Sequence, residues 1–154
     1  MNGVYILRDI ITTVTTAKLL LWVQCPSDAV LRILSARITS ENENTSERLV
    51  ASLAKATGTV GGGDALTPEP DGGQAAFGGT AKGGNTAITG MTVEADDKAF
   101  AYHGEEKLAG WEWTPLPEER RTLSPSEQLV LQTNEALANA TDLICEIRFE
   151  EIGG

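Results

Sequence analysis

The sequence predicts an all-β fold, an antiparallel β-sandwich of jelly-roll-like type, and three observations carry that prediction. Apolar residues recur with a period of two rather than 3.6 in most patterned stretches, the mark of half-buried strands. The runs are short and punctuated by Pro, Gly, Ser and Asp, as in sandwiches and jelly rolls. At 154 residues, the chain makes one domain, 1–154, able to bury roughly 70% of its unfolded surface without a disulfide or metal.

The elements follow in order. Residues 12–16 are Thr and Val, a composition suited to a pleated surface. The stretch "KLLLWVQCPSDAVLRILSARIT" reads as two strands broken by Pro26, Ser27 and Asp28, with Val30, Leu34, Ala36 and Ile38 sharing a face of the second. "TSERLVASLAKAT" is ambiguous: Ser46, Leu49, Val50 and Leu53 fit a helical stripe, while Leu49, Ala51 and Leu53 fit a strand. Its strand neighbours favour the strand. Residues 58–90 hold eleven of the sixteen glycines and few large apolar residues. They read as a long Gly-rich loop or insertion leaving the sandwich, with a short strand near 65–67. No basic residue follows those glycines in the way a phosphate-binding loop needs. Short runs at 86–94, 99–103, 108–113, 120–123, 129–133 and 141–149 complete the set. The last is the clearest, with Leu143, Cys145, Ile147 and Phe149 alternating against Ile144, Glu146, Arg148 and Glu150.

Charge and composition exclude several classes of function. A formal charge of −10 argues against nucleic acid and anionic membrane as partners, since both need phosphates neutralised. The apolar run "AKLLLWVQC" is too short to cross a bilayer. No signal-peptide pattern opens the chain, so synthesis in a cytoplasm is expected, and the Asn-x-Ser/Thr triplets at Asn44 and Asn139 read as chance matches. Cys25 and Cys145 read as small buried apolar residues. With one His in the chain, a His/Cys metal cluster is not expected, and no cofactor is implied.

Catalytic chemistry has little to stand on. His103 is the sole imidazole, and "AFAYHGEEK" places it at a strand end beside a Gly turn, with no Gly-x-Ser-x-Gly elbow anywhere. Glu94, Asp96, Asp97, Glu105, Glu106, Glu112, Glu118 and Glu119 crowd one region. A pair could serve glycoside hydrolysis or several could hold calcium, but "EADD" lacks a calcium-loop spacing, and solvated or interface charge is the plainer reading.

The distinctive stretch is "WEWTPLPEERRTLSPSEQLVLQ". Trp111 and Trp113 share a face if they lie on a strand. They form either a sugar-stacking platform or a core or interface pair, and a chain with 5% aromatics favours packing. Thr114 to Pro117 turns an extended corner. Glu118, Glu119, Arg120 and Arg121 open the next stretch, with Arg suited to bidentate carboxylate pairing across an interface. Trp111, Trp113, Glu118, Glu119, Arg120 and Arg121 are therefore the candidate interface residues.

Taken in order, the Thr-rich N-terminal strand, "CPSDAVLRILSARIT", "ATGT", "TPEP" with its Gly/Ala-rich sequel, "GWEWTPLPEERRTLSPSEQLVLQT" and "ICEIRFEEIG" resemble a group of small β-rich tailed-bacteriophage proteins. These are the capsid cement or decoration proteins. The resemblance spans most of the chain, and only "WEWTPLPEERRTLSP" within it is distinctive. It implies a jelly-roll-like subunit, assembled as a homotrimer on the outer surface of an icosahedral head. There it would stabilise capsomer junctions, with the major capsid protein as partner and the virion as location. The chain departs from the group in its acidity and its expanded Gly-rich segment. Such a protein works through edge strands, exposed loops and an N-terminal arm, with contacts multiplied by symmetry. The alternatives are a tail or fibre accessory binding host glycans through Trp111 and Trp113, and a β-sandwich enzyme or carbohydrate-binding module.

Overall fold

The computed structural model describes residues 3–41 and 45–153. Its strands are β1 (Gly3–Val14), β2 (Leu19–Gln24), β3 (Ala29–Glu41), β4 (Arg48–Leu66), β5 (Glu69–Pro70), β6 (Thr80–Val93), β7 (Ala101–Glu106), β8 (Trp111–Trp113), β9 (Thr122–Leu123), β10 (Gln128–Thr133) and β11 (Thr141–Gly153). Short 3-10 turns fill Asp96–Lys98 and Pro117–Glu119. No helix among the described residues is long and apolar enough to cross a membrane.

Two antiparallel sheets face each other. One runs β5-β1-β11-β3-β8, with β9 also on β3; in the other β10 pairs with both β2 and β4, and β7 flanks β4. Without β5, β6 and β9 the orders are β1-β11-β3-β8 and β2-β10-β4-β7, with the chain crossing between sheets at most connections. This is the eight-stranded jelly roll. Period-two alternation places Leu143, Cys145, Ile147 and Phe149 inward at 0% exposure, opposite Leu129, Leu131, Leu49 and Leu53. Each such buried side chain contributes about 1.5–3 kcal/mol.

"TSERLVASLAKAT" is strand from Arg48 onward, and Leu49 to Ala54 are buried on both its faces. On β3 the expected face is out of phase in its first half. Leu31, Ile33, Ala36 and Ile38 are the buried set, while Val30 and Leu34 are only half-buried. Arg148 pairs with Ser35 and Phe149 with Ile33, so Leu34 is the extra residue of a bulge that flips the alternation. Residues 3–14 are not an arm: β1 sits inside its sheet between β5 and β11, and residues 15–16 lie past its end. Asn44 itself falls outside the described residues.

Residues 58–90 are an insertion but not a loop. β4 and β6 pair from Ala56/Val93 to Leu66/Ala81, with two register shifts near Gly58–Gly61 and Gly62–Asp64. Thr80 to Gly83 of β6 also pairs with Gln24 to Leu21 of β2, so β2, β6, β4 and β10 close into a ring. Inside it lies a second small core of Trp22, Ala56, Ile88 and Val130, with Leu19, Val60, Met91 and Val93 packed against it. Trp22 Nε1 donates to Gln128 Oε1 at 2.8 Å, and Gln128 Nε2 donates to the Gly58 carbonyl at 3.0 Å. The glycines make the curl possible. Gly58 and Gly90 have φ of 111° and 80°, and a Cβ on Gly58 would sit against the Gly90 carbonyl oxygen. Of the insertion, 67–79 alone lies outside β4 and β6, and Phe77 from it plugs the main core between Tyr5 and Phe149 at centroid distances of 5.5 and 5.0 Å.

Candidate interaction surface

The distinctive stretch is one edge strand with a detour. Trp113, Glu112 and Trp111 pair with Ala36, Arg37 and Ile38; Thr122 and Leu123 pair with Arg32 and Leu31. Between these pairings the edge has the eight residues 114–121 where β3 has the three residues 33–35. The chain rejoins β3 where the Ile33 amide donates to the Arg121 carbonyl at 2.9 Å. The surplus is pushed outward through buried Pro115 and the Pro117–Glu119 turn, leaving Leu116 58% exposed. Proline and an outward kink are how an edge strand is kept from pairing with another chain. The outermost strands β7 and β8 are joined by residues 107–110, so one edge of each sheet lies on this side.

Trp111 is not at the surface. It is fully buried, stacked on His103 with ring centroids 4.6 Å apart and 12° between planes, and its Nε1 donates to the His103 carbonyl at 3.1 Å. Trp113 is half-buried, tilted on Phe100 at 6.3 Å. The two Trp residues therefore form no exposed sugar platform; the bulge-free end of β3 directs Trp111 into the core. The Trp111 stack occupies one face of the His103 ring, and His103 Nε2 is 3.7 Å from Glu105.

Arg120 and Arg121 come together with residues that sequence spacing does not connect. The Arg121 guanidinium lies 5.0 Å over the Phe100 ring and donates to the carbonyls of Lys98 and Ala99 at 3.3 Å. Arg120 Nε is buried with no hydrogen-bond partner. These two, with Lys55, Lys98, Phe100, Glu94 and Thr122, line a groove of about 430 Å³. Lys55 is already held by Glu127 at 2.7 Å. Glu118 and Glu119 stand exposed on the 3-10 turn beside the groove.

Elsewhere charge knits strands together. Glu146 bridges Arg8 at 2.6 Å and Arg37 at 3.3 Å across three strands, Glu150 holds Arg32 at 3.1 Å, and Asp71 holds Arg148. Sequence reading missed one pair. Lys107, 0% exposed, donates to Glu47 Oε1 at 2.7 Å and Thr141 Oγ1 at 3.0 Å. Glu47 also accepts from the Ala138 and Asn139 amides. The hydrogen bond from Lys107 is the main cause holding the Glu47 carboxyl below its usual range, against the opposing effect of burial. A lysine in a turn gives no sequence signal of burial. The other carboxylates of residues 91–119 are dispersed, and no three His, Cys, Asp or Glu side chains among the described residues converge to hold a metal. Both cysteines are buried and unbridged, and burial pushes their thiols up.

No family model matches this sequence, and no curated protein or solved structure matches it either.

Proposed function

We propose that this chain is a structural, non-catalytic virion protein: a cement or decoration protein that binds the outer surface of an icosahedral phage head. It would stabilise capsomer junctions as a homo-oligomer, a trimer, with the major capsid protein as partner. One observation carries the reading beyond the resemblance of the sequence. Glu118, Glu119, Arg120 and Arg121, none in an ion pair among the described residues, and the most exposed large apolar side chain, Leu116, sit together on a single edge detour, residues 114–121, while Arg8, Arg37 and Lys107 cross-link separate parts of the chain. A body whose exposed leucine and unpaired charges sit together on one edge suits a clamp, because a clamp needs a repeated surface contact rather than a pocket.

The test is copy number. Quantitative mass spectrometry of purified particles should find the chain in simple ratio to the major capsid protein, at hundreds of copies per head. A few dozen copies would move it to the tail, and absence from particles would refute the structural reading.

A further inference from the structure

From the edge detour and the groove beside it, we infer that the strip 116–121 is self-complementary. The acidic turn of one copy, Glu118 and Glu119 with Leu116, docks in the cationic groove of Lys98, Arg120 and Arg121 on a second copy. This rests on the homo-oligomer part of the reading above and names the contact that builds it.

The first argument is the distribution of unpaired charge. Six of the twelve Lys and Arg residues pair with a carboxylate among the described residues: Arg8, Arg32, Arg37, Lys55, Lys107 and Arg148. Three of the other six, Lys98, Arg120 and Arg121, line one groove. On a chain of formal charge −10, a collection of unneutralised cations is the local exception, and its complement is a carboxylate. The lining also holds one carboxylate, Glu94, so these three cations face a single acceptor there, and Arg120 Nε is buried with no hydrogen-bond partner.

The second argument concerns the occupant. Glu118 and Glu119 are exposed and make no ion pair among the described residues, although they adjoin the two arginines in sequence. Folded onto the 3-10 turn, they are not among the residues that line their own groove. Adjacent patches of opposite sign satisfy one another when a symmetry axis passes close by, which is how a cyclic assembly reuses one surface. Leu116, 58% exposed on the same turn, and the Phe100 ring on the groove floor supply an apolar contact inside the charged rim. A foreign polyanion fits less well. A nucleic acid must approach a body of net negative charge, whereas the turn brings only two carboxylates with a leucine.

Sedimentation of the full chain, up to about 100 µM, at about 50 and about 500 mM salt tests the contact. Wild type should associate at low salt, with association weakened at least about tenfold at high salt. Glu118→Lys/Glu119→Lys and, separately, Lys98→Glu/Arg120→Glu should each sediment as monomers. The second variant leaves Arg121 on Phe100, and unchanged melting temperatures show that both variants fold. An equimolar mixture should regain association at low salt, because each reversed turn then meets a reversed groove. A monomeric wild type, reversed variants that associate like wild type, or a mixture that stays monomeric would each overturn the contact. Copy number in particles is a separate readout: a chain absent from virions that still associates this way would end the virion reading and keep the contact.

Discussion

At the scale of single residues, the most consequential charge is Lys107. An ammonium at 0% exposure must be matched by partners inside the fold, and Glu47 supplies one at 2.7 Å. Its carboxylate also ties down the amides of Ala138 and Asn139, so one side chain joins the start of β4, the β7–β8 turn and the approach to β11. Glu47→Gln should cost about 2–3 kcal/mol at neutral pH, less than the full penalty of a broken buried pair because Glu47 keeps 14% exposure. Urea unfolding at pH 7 reads that loss. The pH dependence has a definite sign. The Glu47 carboxyl titrates below its unfolded value of 4.5, so its stabilisation is complete above that value and is lost as the pH falls through the lower folded one. Unfolding curves across the acid range should fall less steeply for Glu47→Gln than for wild type.

At the scale of elements, glycine decides the insertion. A hairpin as long as β4–β6 would extend straight out from the sandwich if every residue kept the strand twist. Positive φ at Gly58, Gly62, Gly63 and Gly90 bends it back so that β6 reaches β2. Gly90→Ala puts a Cβ against the Thr59 carbonyl oxygen at φ 80°, and a left-handed L-residue alone costs about 1–2 kcal/mol. The expected fall in melting temperature is about 2–8 °C, at roughly 2–4 °C per kcal/mol for a chain of this size. A melting temperature within about 1 °C of wild type would mean that the curl carries no strain there. The edge detour is the other element with a physical reason behind it. Pro115, Pro117 and a surplus of residues against β3 keep the β8–β9 edge from offering a continuous row of backbone groups.

At the scale of the whole molecule, two cores share one strand pair. β4 and β10 face the main core with Leu49, Leu53, Leu129 and Leu131 and the second core with Ala56 and Val130. The long insertion is thus folded in the free chain. A protease of broad specificity should cut within residues 71–76, most of them exposed and outside any strand, and spare 58–66 and 80–93. Early cuts in either of those two stretches would show that the ring of β2, β6, β4 and β10 opens in solution.

The sequence by itself determined the class of fold, because period-two alternation in β11 and β10 and the turn chemistry at Pro26–Asp28 are local properties that tertiary packing reinforced. It also marked "WEWTPLPEERR" as exceptional, from prolines and paired charges in one short run. Three things it did not decide. The phase of β3 turned on a bulge at Leu34 that only its pairing with β11 reveals. The Gly-rich stretch signalled strand only near 65–67 and from 86 onward, yet its Val60 and Ile88 join Met91 and Val93 in a core as small as the one over Trp22. The partners of Arg120 and Arg121, like the burial of Lys107, depend on residues more than twenty positions away. Periodicity records which way a side chain points along its own strand; which residues it meets is set by the crossing of strands far apart in the chain, and only the closed jelly roll supplies that.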